Sequence, residues 1–261
     1  MDLELGGKRV LITGASRGIG KACARAFAAE GADLLLAARD EALLNALAAE
    51  IGAAHKVSVS PFPCDLRDSA ELDRLAASAR DIDILVNNAG DIPPGRIDEI
   101  DEASWRHAWN LKVFGYINLT RHMLGHMAAR GGGVILNVIG TGGERLSYEY
   151  AAGSTGNATL MAFTRAIGGG SFKQGVRVLG VNPGNVLTDR LLIKLRERAI
   201  ERFGDESRVQ EIVDSQPPNS LSMPEEIAEV VVFLASDRAR RISGTIVTVD
   251  GGMANLNELA A

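Results

Sequence analysis

Three glycines at a fixed spacing carry the strongest chemical signal in the chain: Gly14, Gly18 and Gly20, within Val10-Leu11-Ile12-Thr13-Gly14-Ala15-Ser16-Arg17-Gly18-Ile19-Gly20. An apolar run ends in this turn, and Lys21-Ala22-Cys23-Ala24-Arg25-Ala26-Phe27 continues from it, so the order is strand, loop, helix. Gly14 permits a tight turn, Gly18 lets backbone approach a ligand, and Gly20 lets the helix pack near the strand. The free N–H groups and positive dipole end of the new helix then form an anion site suited to a pyrophosphate. Glycines also mark ordinary turns; the strand before and the helix after make this spacing a dinucleotide site. Leu34–Ala38 reads as the next strand, and Ala38 stands where an NAD-specific site places a carboxylate against the ribose hydroxyls. Arg39 follows, and with Arg17 it can pair with a 2′-phosphate, which favours NADP over NAD; the alternative is two solvated arginines. Asp65 has two readings, an acceptor for the adenine amino group or the cap of a helix from Ser69 to Ala79.

The elements that must hold these residues follow from the pattern. The first helix is apolar at Ile19, Ala22, Cys23, Ala26 and Phe27, and Gly31 is a natural stop. Leu34–Ala38 lacks alternation, as expected of a strand buried on both faces. Glu41 to Ile51 reads as a helix with Leu43, Leu44 and Leu47 inward, ended by Gly52. Val57-Ser58-Val59 reads as the third strand and Ile84-Leu85-Val86 as the fourth, closing in Asn87-Asn88-Ala89-Gly90. A βαβαβαβ order predicts a right-handed, parallel, doubly wound α/β sheet with helices on both faces. No composition shift, repeat or linker divides residues 1–261, so the expectation is one domain.

Composition bounds the function. The chain has 261 residues, 46% hydrophobic and 23% charged, which suits a globular protein with a sizeable core. A net charge of −5 argues against nucleic acid or an anionic membrane surface as partner. The two cysteines, Cys23 and Cys64, sit in apolar surroundings and suggest neither a disulfide framework nor a zinc cluster. Met1-Asp2-Leu3-Glu4-Leu5 is acidic, and no run approaches the roughly 20 apolar residues of a membrane span. A cytoplasmic protein acting on a small molecule is expected.

TGASRGIG at 13–20 and NNAG at 87–90 together resemble the short-chain dehydrogenase/reductase superfamily. The resemblance continues through Trp109-Asn110-Leu111, a fifth strand Val134–Val138, a sixth strand Val176-Arg177-Val178, Pro183-Gly184 and Thr188, Met223–Ala228, and Gly244 to Gly252. It implies a Rossmann-type sheet of about seven parallel strands. It also implies cofactor contacts from Gly14, Ser16, Arg17, Gly18, Ile19, Gly20, Arg39, Asp65, Leu66, Asn88, Ala89, Gly90, Asn157, Pro183, Gly184, Val186 and Thr188. The segment 189–222 would cover the substrate. The helices around Asn110 and Asn157 would build a homodimer, commonly within a homotetramer.

That superfamily uses a serine, a tyrosine and a lysine, the last two spaced Tyr-x3-Lys. Counting back from Phe163-Thr164-Arg165 puts the tyrosine position at Gly153 and the lysine position at Asn157; the serine position falls at Gly140. The triad is degenerate, and only Asn110 remains of the usual tetrad. A tyrosine near its ordinary pKa becomes a competent acid/base because a lysine ammonium lowers it, and glycine cannot donate. Losing a general acid costs on the order of 10²–10⁴-fold.

Tyr150 lies three residues before Gly153 and gives Tyr150-x6-Asn157, the spacing of the enoyl-thioester reductases within the superfamily, whose lysine is here a neutral asparagine. Ala152-Gly153-Ser154 resembles the corresponding stretch of the dienoyl-CoA reductases. Tyr150 is therefore the candidate donor for reduction of conjugated enoyl, dienoyl or carbonyl compounds, or else a packing residue. Asn110 either lines the site or bonds backbone at a helix irregularity. Among other groups, Thr141 can face inward or satisfy its loop, and Ser154 and Thr155 can cap the helix that follows. Glu144, Tyr148 and Glu149 lie in a loop near the pocket. His122 and His126 are spaced i, i+4, but with His107 they give no third metal ligand, and surface or interface positions are expected.

Within 189–222, Leu191, Leu192, Leu195 and Ile200 make one apolar helix face. Lys194, Arg196, Arg198 and Arg202 alternate with Glu197 and Glu201, which reads as a solvated face or as contacts for a phosphate-bearing substrate such as a CoA thioester. Pro217-Pro218 breaks the chain before the last helix. Two functions remain open: an NADP-dependent oxidoreductase with an altered active site, and a silent dinucleotide-binding protein that serves as sensor or partner subunit.

Overall fold

Strand and helix alternate from β1 (Arg9–Thr13) through the glycine turn into α1 (Gly18–Ala29), then β2 (Asp33–Ala38), α2 (Glu41–Ala54), β3 (Val59–Pro63), α3 (Ser69–Ser78) and β4 (Ile84–Asn87). The second half runs α4 (Glu102–Trp109), a π-helical turn (Asn110–Phe114), α5 (Gly115–Ala129), β5 (Gly133–Val138), α6 (Ala151–Ser171) and β6 (Val176–Pro183). It closes with β7 (Asn185–Val186), α7 (Asp189–Phe203), α8 (Val209–Asp214), β8 (Leu221–Ser222), α9 (Pro224–Ala235) and β9 (Ile246–Val249). This computed structural model describes residues 2–217 and 220–256; Met1 and Pro218 of the sequence reading lie outside the described residues.

Seven parallel strands lie in the order β3-β2-β1-β4-β5-β6-β9, with β7 and β8 forming a separate two-stranded piece. Alternate residues of β1 serve opposite cores. Val10 and Ile12 join α1, α2 and α9 on one face, whereas Leu11 joins α3 and α5 on the other. Fully apolar strands are thus a consequence of burial on both sides. Strand order reverses between β1 and β4, the topological switch point where α/β sheets open a crevice at their carboxyl ends.

Four local expectations are corrected. The third strand is Val59–Pro63, not Val57–Val59. It is an edge strand whose Ser58 O and Cys64 N bond β2, so even-numbered residues face the sheet. Pro61 and Pro63 therefore turn their donor-less nitrogens outward, which an edge tolerates. Helix α2 passes through Gly52 to Ala54, because Ile51 is buried and the exposed glycine is merely tolerated. Asp68, not Asp65, caps α3, accepting from Ala70 N at 2.8 Å and Glu71 N at 3.3 Å. Ser154 and Thr155 lie inside α6 and do not cap it: Ser154 Oγ accepts from Ser147 N and Thr155 Oγ1 donates to Ala151 O.

A buried polar ladder crosses the sheet. Asn87 Nδ2 donates to Asn137 Oδ1 at 2.9 Å, and Asn137 Nδ2 donates to Thr164 Oγ1 at 2.9 Å, tying β4, β5 and α6 together. At the opposite end of the sheet Arg177 is buried, donating to Leu234 O, Ala235 O and Ser236 O, which satisfies the last carbonyls of α9.

Candidate active site

The glycine loop and the Asn87–Gly90 loop close on each other at the switch point. Thr13 Oγ1 accepts from Asn88 N at 2.9 Å and Ala89 N at 3.1 Å, while Asn88 Nδ2 donates to Thr13 O at 3.0 Å. Gly14 has φ +65°, and a Cβ there would stand 2.9 Å from Ala89 Cα; Gly18 has φ +52°, and its Cβ would meet Thr188 Cγ2 at 3.0 Å. At Gly20 a Cβ would run into the Gly14 carbonyl. The helices α2, α3, α4 and α7 are capped by Asp40, Asp68, Asp101 and Thr188, whereas α1, like α6, has no side-chain cap and no acidic residue in its first turn. Its amides open on a cavity of about 400 Å³ lined by Ser16, Arg17, Gly18, Lys21, Thr188 and Pro224, among others. Ile19 packs into the core beneath.

Arg39 is exposed at the end of β2 and has no ion pair or hydrogen bond among the described residues. Arg17 instead meets Asp40, the α2 cap, at 3.5 Å. Asp65 is engaged locally, accepting from Arg67 N at 3.0 Å and pairing with Arg67 Nη1 at 2.8 Å, while Leu66 is buried behind it. The chain bonds Gly184 N to Val249 O, and Val186 is buried in β7. Pro183 ends β6 with its carbonyl toward Gly140.

Across the crevice stand Gly140, Tyr150, Gly153 and Asn157. Gly140 follows β5, donating its N–H to Asn182 Oδ1 at 3.3 Å. Asn157 is 3% exposed, and its Oδ1 has no hydrogen-bond partner. Its Nδ2 would lie 3.3 Å from a Cβ at either Gly140 or Gly142. Tyr150 begins α6, and its ring folds over Gly153 so closely that a Cβ there would fall among the ring atoms. Tyr150 packs against the cluster of Ile92, Ala108 and Ala152, which Trp105 and Trp109 also flank. Burial raises the Tyr150 phenol above its ordinary pKa, an effect that Arg190 opposes and Asp91 reinforces. Its hydroxyl has no hydrogen-bond partner among the described residues. Tyr148 is exposed, with Arg96 over its ring at 5.2 Å, whereas Tyr116 is fully buried and donates to Val138 O.

Asn110 is exposed and opens the π-helical turn, its carbonyl accepting from Gly115 N. Two residues on, Lys112 turns inward. Its aliphatic stem lies beneath Gly90, where a Cβ would stand 2.8 Å from Lys112 Cδ, and Nζ donates to Ile139 O at 2.6 Å. Burial, and secondarily the Arg190 guanidinium, push its ammonium down to about 8. Arg190 in α7 donates from Nη2 to Ile92 O at 2.5 Å and stands 3.4 Å from Asp91. The sequence reading passed over both residues. The signal for Arg190 was Arg190-x3-Lys194, a like-charge pair that a helix places on one face.

The remaining candidates resolve simply. Glu144 accepts from Asn182 Nδ2 at 2.8 Å and from Thr248 Oγ1 at 3.1 Å, so it braces the loop after β5. Thr141 opens a 3₁₀ turn, accepting through its carbonyl, and Glu149 O accepts from Gly95 N. His122 faces Asp73 at 3.1 Å and His107 is exposed. Among the described residues no three His, Cys, Asp or Glu groups could hold a metal, and no helix is long and apolar enough to cross a membrane. Cys23 and Cys64 are buried, their thiols pushed up to about 12 by burial, and are inert. On α7, Leu195 and Ala199 are buried, but Ile200 is 50% exposed, so the expected apolar face stops short of it.

A seven-stranded parallel sheet with a glycine loop at its switch point is matched by known proteins along nearly the whole chain. Residues 14–254 match the family model described as Enoyl-(Acyl carrier protein) reductase. The chain belongs to the short-chain dehydrogenase/reductase superfamily. It is 34% identical to the 2-keto-3-deoxy-L-fuconate dehydrogenase of Xanthomonas campestris, over 97% of this chain and 82% of that one. It is 32% identical to the 7alpha-hydroxysteroid dehydrogenase of Escherichia coli, over 96% of each. The crystal structure of L-sorbose reductase from Gluconobacter frateurii, complexed with NADPH and L-sorbose, superposes with a TM-score of 0.92 at 33% identity, covering 98% of this chain and 100% of that one.

Proposed function

We propose that this protein is an NADP-dependent oxidoreductase with an altered active site, acting on conjugated enoyl or dienoyl compounds or on carbonyl compounds. The observation that carries the reading is the buried, unpartnered Oδ1 of Asn157 across the crevice from the glycine loop. A buried acceptor without a partner costs about 1–3 kcal/mol, and a ribose hydroxyl would repay it. The residues fit a dinucleotide in three further ways: glycines where side chains would close the loop, an uncapped helix start, and the free guanidinium of Arg39, suited to a 2′-phosphate. The NADPH named with the sorbose reductase supports the same choice.

When bound, the dinucleotide would supply or accept a hydride. In our reading Gly140, Gly153 and Asn157 replace the superfamily's serine, tyrosine and lysine. Tyr150, kept neutral because burial raises its pKa, then serves as a hydrogen-bond donor to a substrate oxygen that gains negative charge. Asn157 orients the ribose without adding charge, and Asn110 bounds the site from the π-helical turn. Residues 189–222 form the substrate cover, and the protein works as a cytoplasmic homodimer or homotetramer.

Calorimetric titration with NADPH and with NADH tests the cofactor reading: binding of NADPH in preference to NADH is expected, and failure of both to bind overturns it. A specific observation favours the silent alternative, since no lysine lowers Tyr150. A Tyr150→Phe variant that binds NADPH normally should lose at least about tenfold in turnover of enoyl thioesters or ketones; unchanged turnover removes Tyr150 from the chemistry.

A further inference from the structure

The start of α7 and the turn at Lys112 bring three cations to the Gly90–Ile92 loop, with Asp91 as the carboxylate beside them. Arg190 and Lys194 are one helical turn apart on α7, a like-charge spacing that destabilises a helix on its own. Arg190 spends one nitrogen on Ile92 O at 2.5 Å and stands 3.4 Å from Asp91, a carboxylate whose side chain is 60% exposed. Lys194 is half-buried and has neither hydrogen bond nor ion pair among the described residues. Lys112 spends one of its three N–H groups on Ile139 O at 2.6 Å, and the other two have no partner among the described residues.

Arg190 and Lys112 meet the same loop: Arg190 Nη2 donates to Ile92 O and stands by Asp91, the Lys112 stem lies beneath Gly90, and Lys194 follows Arg190 one turn along α7. Arg190 is near enough to act electrostatically on Lys112, on Lys194 and on the Tyr150 phenol. Both ammonium groups are held below their ordinary pKa, chiefly by burial and next by Arg190; Arg198 adds to this for Lys194, and Glu197 and Asp91 oppose it. Arg196, Arg198 and Arg202 on the same helix remain in solvent. The basic residues of α7 are therefore not one uniformly solvated face, because Lys194 is half-buried while Arg196, Arg198 and Arg202 are exposed. Lys112 is the most deeply placed of the three and keeps two N–H groups unused among the described residues, while the Arg190 side chain is 45% exposed and shares Asp91. Cations gathered this closely are normally balanced by negative charge, and an anionic ligand would supply it.

We propose that Arg190, Lys194 and Lys112 form an anion subsite, so that the substrate carries an oxyanion, carboxylate or phosphate, beside its reacting carbons. The assignment rests on the oxidoreductase reading above. The guanidinium supplies a planar fork, and the two ammonium groups act as point charges. Held there, an acidic group would orient the rest of the molecule toward Tyr150 and Gly140.

Calorimetry on the NADPH-loaded protein at constant ionic strength tests the subsite with malonate, inorganic phosphate and the neutral malonamide as probes. Malonate or phosphate should bind and malonamide should not; the tighter of the two ions identifies the oxyanion class. Lys194→Gln should weaken the bound ion about tenfold or more, Lys194→Arg should retain it, and NADPH affinity should be the same in both variants. No binding of either ion at tens of millimolar, equal binding of malonamide, or an undiminished Lys194→Gln variant overturns the proposal. NADPH affinity and turnover are read separately. A protein that binds the ion without NADPH would refute the oxidoreductase reading alone, and one that binds NADPH without preferring anions would refute the subsite alone.

Discussion

The two walls of the crevice are built on opposite terms. At the β1–β4 wall the chain meets its own needs: Thr13 and Asn88 exchange hydrogen bonds across the switch point, and glycines leave room where backbone must approach backbone. At the β5–α6 wall stand Gly140 and Gly153, and among the described residues Asn157 Oδ1 and the Tyr150 hydroxyl have no hydrogen-bond partner. The first wall works through backbone and tolerates almost no exchange. The second works through side chains, those of Tyr150 and Asn157, that present polar atoms to the crevice.

The sharpest way to break this contrast is at the first wall. Gly20→Ala drives a methyl into the Gly14 carbonyl; we expect NADPH affinity to fall more than about 100-fold and stability to drop by about 1–3 kcal/mol, read by calorimetry and urea unfolding. A normal Gly20→Ala protein would erase the distinction. Next in size is Arg39→Ala, expected to weaken NADPH about tenfold and NADH less than about twofold; equal losses would return Arg39 to the solvent.

Lys112 sharpens the second wall through pH. Its folded pKa of about 8 lies below the ordinary 10.5, so the unfolded chain holds the proton more tightly. The penalty is therefore fully present below pH 8 and fades as pH rises toward 10.5. Lys112→Met should be more stable than the parent by on the order of 1–2 kcal/mol at pH 7, the advantage shrinking by pH 10. Comparing the two proteins removes the contribution of Cys23 and Cys64, which titrate above pH 9 in both. A constant difference across that range would place Lys112 in water. Smallest, Asn157→Ala should cost NADPH only about three- to tenfold.

The scaffold was legible because it repeats. The strands β1, β2 and β4, the glycine turn and the Asn87–Gly90 loop each have a short-range signature and stand where the sequence pattern put them, whereas β3 begins two residues later than its pattern suggests. The misreadings were decided by tertiary context. Prolines in β3 are acceptable only at a sheet edge, and Asp65 and Asp68 are equally good caps until the turn geometry selects one. Lys112 was invisible for the same reason. A lysine on a polar helix reads as solvated, and only packing beneath Gly90 brings it to the crevice. Asn157 shows the converse: its position was found by counting, but its unpartnered oxygen exists only in three dimensions.

The Tyr150 ring lying where a side chain at 153 would begin couples the two positions sterically. Any residue larger than glycine at 153 needs the Tyr150 ring to move aside or position 150 to become small. For redesign of the pocket wall, positions 150 and 153 therefore count as one variable rather than two.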